Sequence, residues 1–489
     1  MSSFVRRPSA CRLRAVRRLL RWAAWAVLPF SASVARPPNV LLLVSDNQPP
    51  DTIRALGGTA IETPALDRLV HRGSVFTRAI TANPLCVPSR AEIMSGTSGF
   101  TNRSSPFGRG LDPTLPLWAQ VMRQAGYRTG YTGKWHTDGT PAARGYDEHR
   151  ALLSAGGAGG RPATYPTMRN GRPATGFQGF TFKSADGTPE PEKGVGLTPE
   201  TDRHIADGTI ALLRSRGETP FFLHVNFAGC HDPLLPAPGF EDKYDPRAMP
   251  LPPNFLPRHP FDWGNAGGRD EKLLPTPLAV DDVKQELADL HAVVSHLDHQ
   301  VGRILAALEE SGQAANTLVI YNTDNGAGVG RHGIRGYQNM YEHAIGVPLI
   351  LAGPGVPAGA RFPAQAYLRD LFPTVCELAG IAIPPTVEGR SLAPVLAGLA
   401  AEVHEELYAN FHGSAVSGPF PLQRMVRTPH WKLIHYSHLG RQQLFDLEND
   451  PFELRDFSGS AEHGPVRRAL EAKLDAWFAP RLALHAAAR

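Results

Sequence analysis

The sequence predicts an α/β fold, with helices on both faces of a large sheet and a smaller antiparallel sheet plus one helix at the C-terminus. Two apolar runs, residues 39–45 and 317–323, have no polar face, which is typical of strands buried on both sides. Helical patterns alternate with such strands, and the longest covers residues 283–311. From about residue 401 the chain changes to short strand-like pieces, followed by a helix over residues 466–478.

The spacing of apolar residues also predicts the remaining helices and strands of the large domain. Apolar residues at helical spacing predict helices, and short apolar or β-branched runs between turn residues predict strands. The predicted helices cover residues 64–70, 117–125, 201–216 and 371–378, and the predicted strands cover residues 74–79, 127–132 and 221–227.

The first 35 residues are typical of a secretory signal peptide. They contain seven arginines and no acid, followed by an apolar run over residues 22–28 that is too short to span a membrane. Without these seven arginines, Lys plus Arg falls from 50 to 43 against 46 Asp plus Glu, so the net charge changes from +4 to about −3. We therefore expect an exported protein, periplasmic or secreted, with no membrane span in the mature chain and no nucleic-acid partner.

The rest of the chain is long enough for one large domain and one small one, which we place at residues 36–400 and 401–489. Residues 150–195 are rich in Gly, Pro, Thr and Ser, and we interpret them as long surface loops. The cysteines are too few for a disulfide scaffold. Cys230 and Cys376 could form one bridge or remain as two buried thiols.

The stretch around Cys86 indicates chemistry on an anion. Pro88 suits the first turn of a helix, so Cys86 lies beside the free N–H groups and the positive end of the helix dipole. Arg90 follows four residues later and can reach the same point. A cysteine and an arginine at such a helix end suggest a sulfate or phosphate ester as substrate, although an ordinary buried cysteine fits the spacing equally well.

Polar residues follow the predicted strands, at the sheet edge where open α/β proteins bind ligands. Asp46 and Asn47 follow the first strand, and Asp324 and Asn325 follow the strand at residues 317–323. Each pair alone could be a solvated turn, whereas four oxygen donors on two strand ends suit Ca²⁺.

The C-V-P-S-R run at residues 86–90 resembles the C-x-P-S-R signature of the sulfatase family, in which the cysteine is oxidised to Cα-formylglycine. The two pairs at the strand ends, G-K-W-H at residues 133–136 and H-D-P at residues 231–233 follow the family's order along the chain. The resemblance implies the alkaline phosphatase-like form of the α/β fold, a large mixed sheet sandwiched by helices. It also implies a formylglycine-generating enzyme as a maturation partner.

The resemblance further implies roles for the residues of these blocks. Formylglycine from Cys86, once hydrated, would attack sulfur beside the bound Ca²⁺. His136 would contact the hydrated aldehyde, and His231 would protonate the leaving oxygen. The implied catalytic residues are Cys86, Arg90, Lys134, His136 and His231, and the implied calcium ligands are Asp46, Asn47, Asp324 and Asn325.

Two positions depart from the family pattern. Asn47 stands where the family usually has a second acid, which keeps an oxygen donor but removes one charge. Tyr337 stands where relatives have a sulfate-binding lysine, and it offers one neutral O–H. Arg331 or Arg335 could compensate as a substrate-binding cation, or His332 could take over as the proton donor. Alternatively, Tyr337 could stack on a sugar ring, which is the interpretation we favour.

These features predict a sulfatase that acts on a sulfated saccharide or another sulfate ester. A phosphodiester or phosphonate monoester hydrolase of the same fold would use the same metal and nucleophile. A weakly active glycan-binding relative is a third hypothesis, which Tyr337 favours and the intact residues 86–90 oppose.

Overall fold

The computed structural model describes Met1 and residues 36–105, 110–155, 171, 176–177, 179–412 and 423–487. Apart from Met1, the predicted leader at residues 1–35 lies outside the described residues. The described residues from Pro37 onward belong to one compact unit. Across the described ranges, no helix combines the length and the apolar character that a membrane crossing requires.

Within the described residues, nine strands form the large sheet, in the order β5-β4-β3-β6-β1-β7-β8-β2-β9. β5 and β8 run antiparallel to their neighbours, and the other pairs are parallel, so the sheet is mixed as predicted. The strands are β1 (Asn39–Ser45), β2 (Ser74–Ile80), β3 (Arg128–Trp135), β4 (Glu148–Ala155), β5 (Phe180–Lys183), β6 (Phe221–Asn226), β7 (Thr317–Thr323), β8 (Leu349–Ala352) and β9 (Ala360–Tyr367).

Helices cover both faces of this sheet, as the sequence predicts. Leu41 and Leu43 of the central strand belong to one apolar core, and Val40, Leu42 and Val44 belong to the other. The first core includes α1, α4 and α5, and the second includes α2, α3 and α7. The α-helices are α1 (Pro64–Arg72), α2 (Cys86–Ser95), α3 (Trp118–Gln124), α4 (Thr201–Arg214), α5 (Val280–Glu310), α6 (Glu342–Ile345), α7 (Leu371–Leu378), α8 (Ala393–Leu396) and α9 (Gly464–Ala487).

The predicted C-terminal sheet is also present. In the described part of the chain it has four antiparallel strands in chain order, β10 (Leu407–Phe411), β11 (Gln423–Arg427), β12 (Trp431–Tyr436) and β13 (Arg441–Asp446). Leu433 and Leu444 on one face of this sheet pack with Leu470 and Leu474 of α9. The terminal helix therefore covers the small sheet, which is the arrangement that the pattern predicts.

The interpretation of residues 150–195 as surface loops is wrong at two places, because β4 and β5 lie there. Leu152 and Leu153 of β4 are buried, and the strand pairs with both β3 and β5. The Gly, Pro, Thr and Ser around these short strands dominate the composition and hide them. The glycine-rich run at residues 156–160 lies outside the described residues. The sequence pattern does not predict β9 either, because Pro363 indicates the end of a strand. β9 lies at the edge of the sheet, where a strand tolerates proline.

Cys230 and Cys376 are buried free thiols, which decides between the two alternatives that the sequence left open.

Asp298 of α5 stabilises the N-terminus of α1 across the core. Its carboxylate accepts the backbone N–H of Leu66 at 2.7 Å and that of Ala65 at 3.1 Å. We expect Asp298→Ala to lower the free energy of unfolding by about 1–3 kcal/mol, because two buried N–H groups lose their acceptor. Urea denaturation measures this change. Asp281→Ala on the exposed first turn of the same helix is the control, and an equal loss in both variants would contradict a specific contact.

Candidate active site

The carboxyl ends of four adjacent parallel strands, β3, β6, β1 and β7, meet at one edge of the large sheet. Asp46 and Asn47 follow β1, and Asp324 and Asn325 follow β7. α2 begins at Cys86, after the loop that leaves β2. The topology therefore brings the residues singled out at separate strand ends to one place, as expected for an open α/β sheet.

Cys86 is the first residue of α2 and is buried at the centre of this edge. Its Sγ lies 3.5 Å from Asp46 Oδ1 and 3.9 Å from Asn47 Oδ1. Burial, together with the charge of Asp46, raises the pKa of the Cys86 thiol well above its ordinary value. A thiol with such a pKa stays protonated, and the protonated thiol is a poor nucleophile. The unmodified Cys86 sulfur is therefore a poor nucleophile in these surroundings.

The pair Asp46 and Asn47 and the pair Asp324 and Asn325 lie together beside Cys86. The backbone N–H of Asn47 donates to Asp324 Oδ1 at 3.1 Å, and Asn325 Nδ2 donates to Asn47 Oδ1 at 2.6 Å. Burial, followed by the charge of Asp324, raises the pKa of Asp46 to about 6. The pKa of Asp324 is instead lowered, because the effect of its burial is outweighed by the charges of Arg90 and Lys134. Positive charge beside the pair thus keeps a buried carboxylate ionised.

Two buried cations already contact these carboxylates. Arg90 Nη2 lies 2.9 Å from Asp324 Oδ2 and 3.5 Å from Asp46 Oδ2, and Lys134 Nζ pairs with Asp46 Oδ2. The side chains of Arg90 and Lys134 are only 4% and 0% exposed. The structure thus brings both predicted cations to the cluster beside Cys86, where they neutralise the two acids.

His231 also reaches this cluster. Atoms of His231, Asp46 and Cys86 lie within 4.8 Å of one another. His231 Nδ1 donates to the backbone carbonyl of Asp232 at 2.6 Å, so the neutral ring carries its proton on Nδ1. Burial lowers the pKa of His231 to about 3. His231 is therefore a neutral ring with an unprotonated Nε2, although the Asp232 carboxylate lies 3.4 Å from its Nδ1.

His136 follows β3 and is also held neutral. Burial, with the charge of Lys134, lowers the pKa of His136 well below its ordinary value. The ring of Phe180 meets the His136 ring edge-on at 5.6 Å between centroids. His136 and Lys134 both lie at the carboxyl end of β3.

The three predicted substrate-binding residues have different surroundings. The Tyr337 hydroxyl lies 3.8 Å from Cys86 Sγ, and burial raises the pKa of Tyr337 well above its ordinary value, so it stays a neutral donor. Arg335 Nε donates to Glu286 Oε1 at 2.9 Å in a buried ion pair, and Arg335 Nη1 lies 3.7 Å from Asp232 Oδ1. His332 stacks on Tyr341 with ring centroids 4.0 Å apart. Only Tyr337 of the three is brought against Cys86, and the substrate roles of all three stay predictions.

Two residues at the site carry no motif that sequence reasoning could use. Asn226 Oδ1 accepts a hydrogen bond from Arg90 Nη1 and thereby fixes the guanidinium. The only available signal was its place at the end of a buried strand. Phe177 lies with its ring centroid 4.5 Å from the His231 ring and 4.5 Å from Lys134 Nζ. It comes from the segment that the sequence predicts to be loop.

The mixed sheet with helices on both faces, and the cluster at the carboxyl ends of its strands, have the arrangement of the alkaline phosphatase-like fold. Two family models match this chain. The model described as Sulfatase matches residues 38–381, and the model described as N-sulphoglucosamine sulphohydrolase, C-terminal, matches residues 330–479. The chain belongs to the sulfatase family, and its predicted enzyme class, a sulfuric ester hydrolase, is confirmed.

Similar proteins agree with this assignment. Arylsulfatase K of Rattus norvegicus is 28% identical over 451 residues, which cover 87% of this chain and 75% of the relative. An N-acetylglucosamine-6-O-sulfatase of Bacteroides thetaiotaomicron is 26% identical over 88% of this chain and 85% of the relative. The solved structure of BT4656 with its substrate D-glucosamine-2-N,6-O-disulfate has a TM-score of 0.73, with 22% identity over 91% of this chain and 98% of that chain.

Proposed function

We propose that this chain is an exported sulfatase that hydrolyses a sulfate ester of a saccharide, using formylglycine formed from Cys86 and a bound Ca²⁺. The observation that carries the proposal is the contact of Cys86 with both oxygens that follow β1, Asp46 Oδ1 and Asn47 Oδ1. A saccharide substrate is supported by the family model for the C-terminal part and by the similarity of the chain to an N-acetylglucosamine-6-O-sulfatase.

The residues around Cys86 fit a calcium ion. Asp46, Asn47, Asp324 and Asn325 offer hard oxygen donors, and two of them carry charge. Asn325 Oδ1 is buried and has no hydrogen-bond partner among the described residues, while Nδ2 of the same amide donates to Asn47 Oδ1, so Asn325 offers an unused acceptor. Formylglycine at residue 86 would supply a nucleophilic oxygen, and a bound Ca²⁺ would supply positive charge beside it.

The chain's own residues then bind the ester and move protons. Arg90 and Lys134 supply positive charge beside Cys86, where the sulfate oxygens gain charge in the transition state. His231 holds Nδ1–H on the carbonyl of Asp232, which leaves Nε2 as the nitrogen that exchanges a proton with the leaving oxygen. A bound sulfate ester is an anion, and its charge raises the pKa of His231 from its low value in the free enzyme. Tyr337 donates one neutral O–H.

Maturation and domain organisation belong to the same proposal. The leader at residues 1–35 directs export, and a formylglycine-generating enzyme oxidises Cys86 in its C-x-P-S-R context. Residues 36–400 form the catalytic domain and residues 401–489 a small C-terminal subdomain. The change from a mixed sheet to an antiparallel one supports this division.

A panel of esters tests the function. We expect the highest kcat/KM on monosulfated or disulfated saccharides, lower values on aryl sulfates, and the lowest on phosphodiesters and phosphonate monoesters of matched leaving group. Turnover of phosphonates with none of sulfates would instead support the phosphonate hydrolase. Tight saccharide binding without any turnover, in protein that carries formylglycine at residue 86, would support the glycan-binding relative.

A further inference from the structure

Arg269 lies beside the catalytic cluster, although no motif includes it. Its Nη2 lies 3.2 Å from Asp232 Oδ1, the same oxygen that lies 3.4 Å from His231 Nδ1. The side chain of Arg269 is 44% exposed, in contrast to the nearly inaccessible Arg90 and Lys134. Arg269 is thus a cation at the border between the buried site and the solvent from which a substrate enters.

The backbone around Arg269 is fixed against the segment that carries Tyr337. The Glu271 carboxylate accepts the two backbone N–H groups of the residues just before Tyr337, at 3.0 and 2.9 Å. Gln338 Nε2, just after Tyr337, donates to Asp270 Oδ2 at 3.1 Å. Contacts on both sides of Tyr337 therefore hold Arg269 next to the position that offers only a neutral hydroxyl.

The guanidinium of Arg269 retains an unused donor. Its Nε and Nη2 contact Asp270 Oδ1, and Nη2 also contacts Asp232. In the part of the chain that the structure describes, its Nη1 makes no hydrogen bond. Burial is the main cause of the lowered pKa of His231 and of His136, and the charge of Arg269 adds to both. The charge of Arg269 therefore acts on two site residues.

We propose that Arg269 is a substrate-binding residue that holds an oxyanion of the sulfated substrate. The inference rests on the proposed function. Arg90 and Lys134 share their charge between the substrate and the two carboxylates of the cluster, and Arg335 is paired with Glu286 and lies 3.7 Å from Asp232 Oδ1. Arg269 combines partial exposure, a free donor and a fixed backbone, and a guanidinium binds planar or tetrahedral oxyanions through several N–H groups. The oxyanion is either the scissile sulfate or a second sulfate or carboxylate on the same saccharide.

Binding to an inactive variant separates these cases. In the Cys86→Ala background we would measure Kd by calorimetry for inorganic sulfate, glucosamine 6-sulfate and a disulfated glucosamine, with and without Arg269→Gln. We expect Arg269→Gln to weaken binding by roughly 10- to 100-fold, the scale of a lost charge-assisted hydrogen bond. Arg269→Lys keeps the charge and should recover part of the affinity. Arg247→Gln, which removes an exposed ion pair with Asp245, is the matched control.

The pattern across ligands identifies the oxyanion. Equal weakening for all three ligands would assign Arg269 to the scissile sulfate, and weakening confined to the disulfated sugar would assign it to a second anion. A role confined to positioning His231 through Asp232 would lower kcat and leave all three Kd values unchanged, which would overturn the proposal. Equal losses in Arg247→Gln would also overturn it, since they would report only the overall charge.

Different results would contradict the role of Arg269 and the proposed sulfatase function. If the unmutated enzyme hydrolyses sulfated saccharides and Arg269→Gln leaves every Kd unchanged, only the inference on Arg269 is wrong. If the unmutated enzyme hydrolyses no sulfate ester, the proposed function itself is wrong. Thermal melting of the glutamine and lysine variants shows whether both are folded. If only the lysine variant is folded, that variant tests the proposal. Lysine lacks the planar set of N–H donors of a guanidinium, so unchanged Kd and KM values in Arg269→Lys would contradict the proposal.

Discussion

Cys86→Ala should abolish sulfate ester hydrolysis, with kcat falling by more than about a thousandfold. The variant removes the nucleophile, and the residues around position 86 then have no group to activate. The fold should be retained, since alanine is a good helix former at the start of α2 and removes only one buried sulfur. Initial rates on the best sulfated saccharide, together with thermal melting, measure both effects.

Peptide mass spectrometry supplies the second half of this test. In active enzyme, the peptide that contains residue 86 should carry an aldehyde, with CHO in place of CH₂SH. Cys376→Ala is the matched control, because Cys376 is a buried free thiol on α7. It should keep its activity at a small cost in stability. Fully active enzyme with only unmodified cysteine at residue 86 would contradict the proposed chemistry. The raised pKa of the thiol makes that outcome the less favourable one physically.

The large sheet shows which parts of a fold a single sequence reveals. The predicted bounds of β1 and β7 match the structure, because a strand buried on both faces needs an unbroken apolar run. β4, β5 and β9 lie at or near the sheet's edges, where the requirement for apolar residues is weaker. Their short apolar stretches are surrounded by turn-forming residues, and β9 contains Pro363. Local patterns identify the centre of such a sheet better than its margins.

The site was predictable where a motif coincides with a strand end. Asp46 and Asp324 follow the two strands whose apolar runs are clearest, so parallel pairing alone brings them together. Asn226 and Arg269 lie far from Cys86 along the chain and act through contacts that only the folded chain creates. Arg335 lies close to Tyr337 in the sequence and forms a buried ion pair with Glu286, a contact that the sequence does not reveal. Its role in substrate binding stays a prediction.

Removal of Ca²⁺ is the second change from which we expect a large effect. Stripping the enzyme with EGTA should lower both kcat and the melting temperature, and added Ca²⁺ should restore both. A ligand that binds only the folded state at 100 times its Kd contributes about 2.7 kcal/mol to stability. Asp324→Asn should weaken this response strongly, because Asp46 and Asp324 supply the only formal negative charges of the four proposed ligands. Differential scanning calorimetry over a Ca²⁺ titration measures the shift.

Asp281→Asn, at an exposed position of α5, tests whether a loss of one negative charge anywhere has the same effect. It should leave the Ca²⁺ dependence of melting and of kcat unchanged.

Mg²⁺ should substitute poorly for Ca²⁺, since it demands near-ideal octahedral geometry and releases its water reluctantly. The variant Asn47→Asp adds the charge that this chain lacks at the site and should lower the Kd for Ca²⁺. Identical melting curves in EGTA and in saturating Ca²⁺, with full activity in both, would show that the oxygen cluster works without the ion. Arg90 and Lys134 alone would then balance the two buried carboxylates.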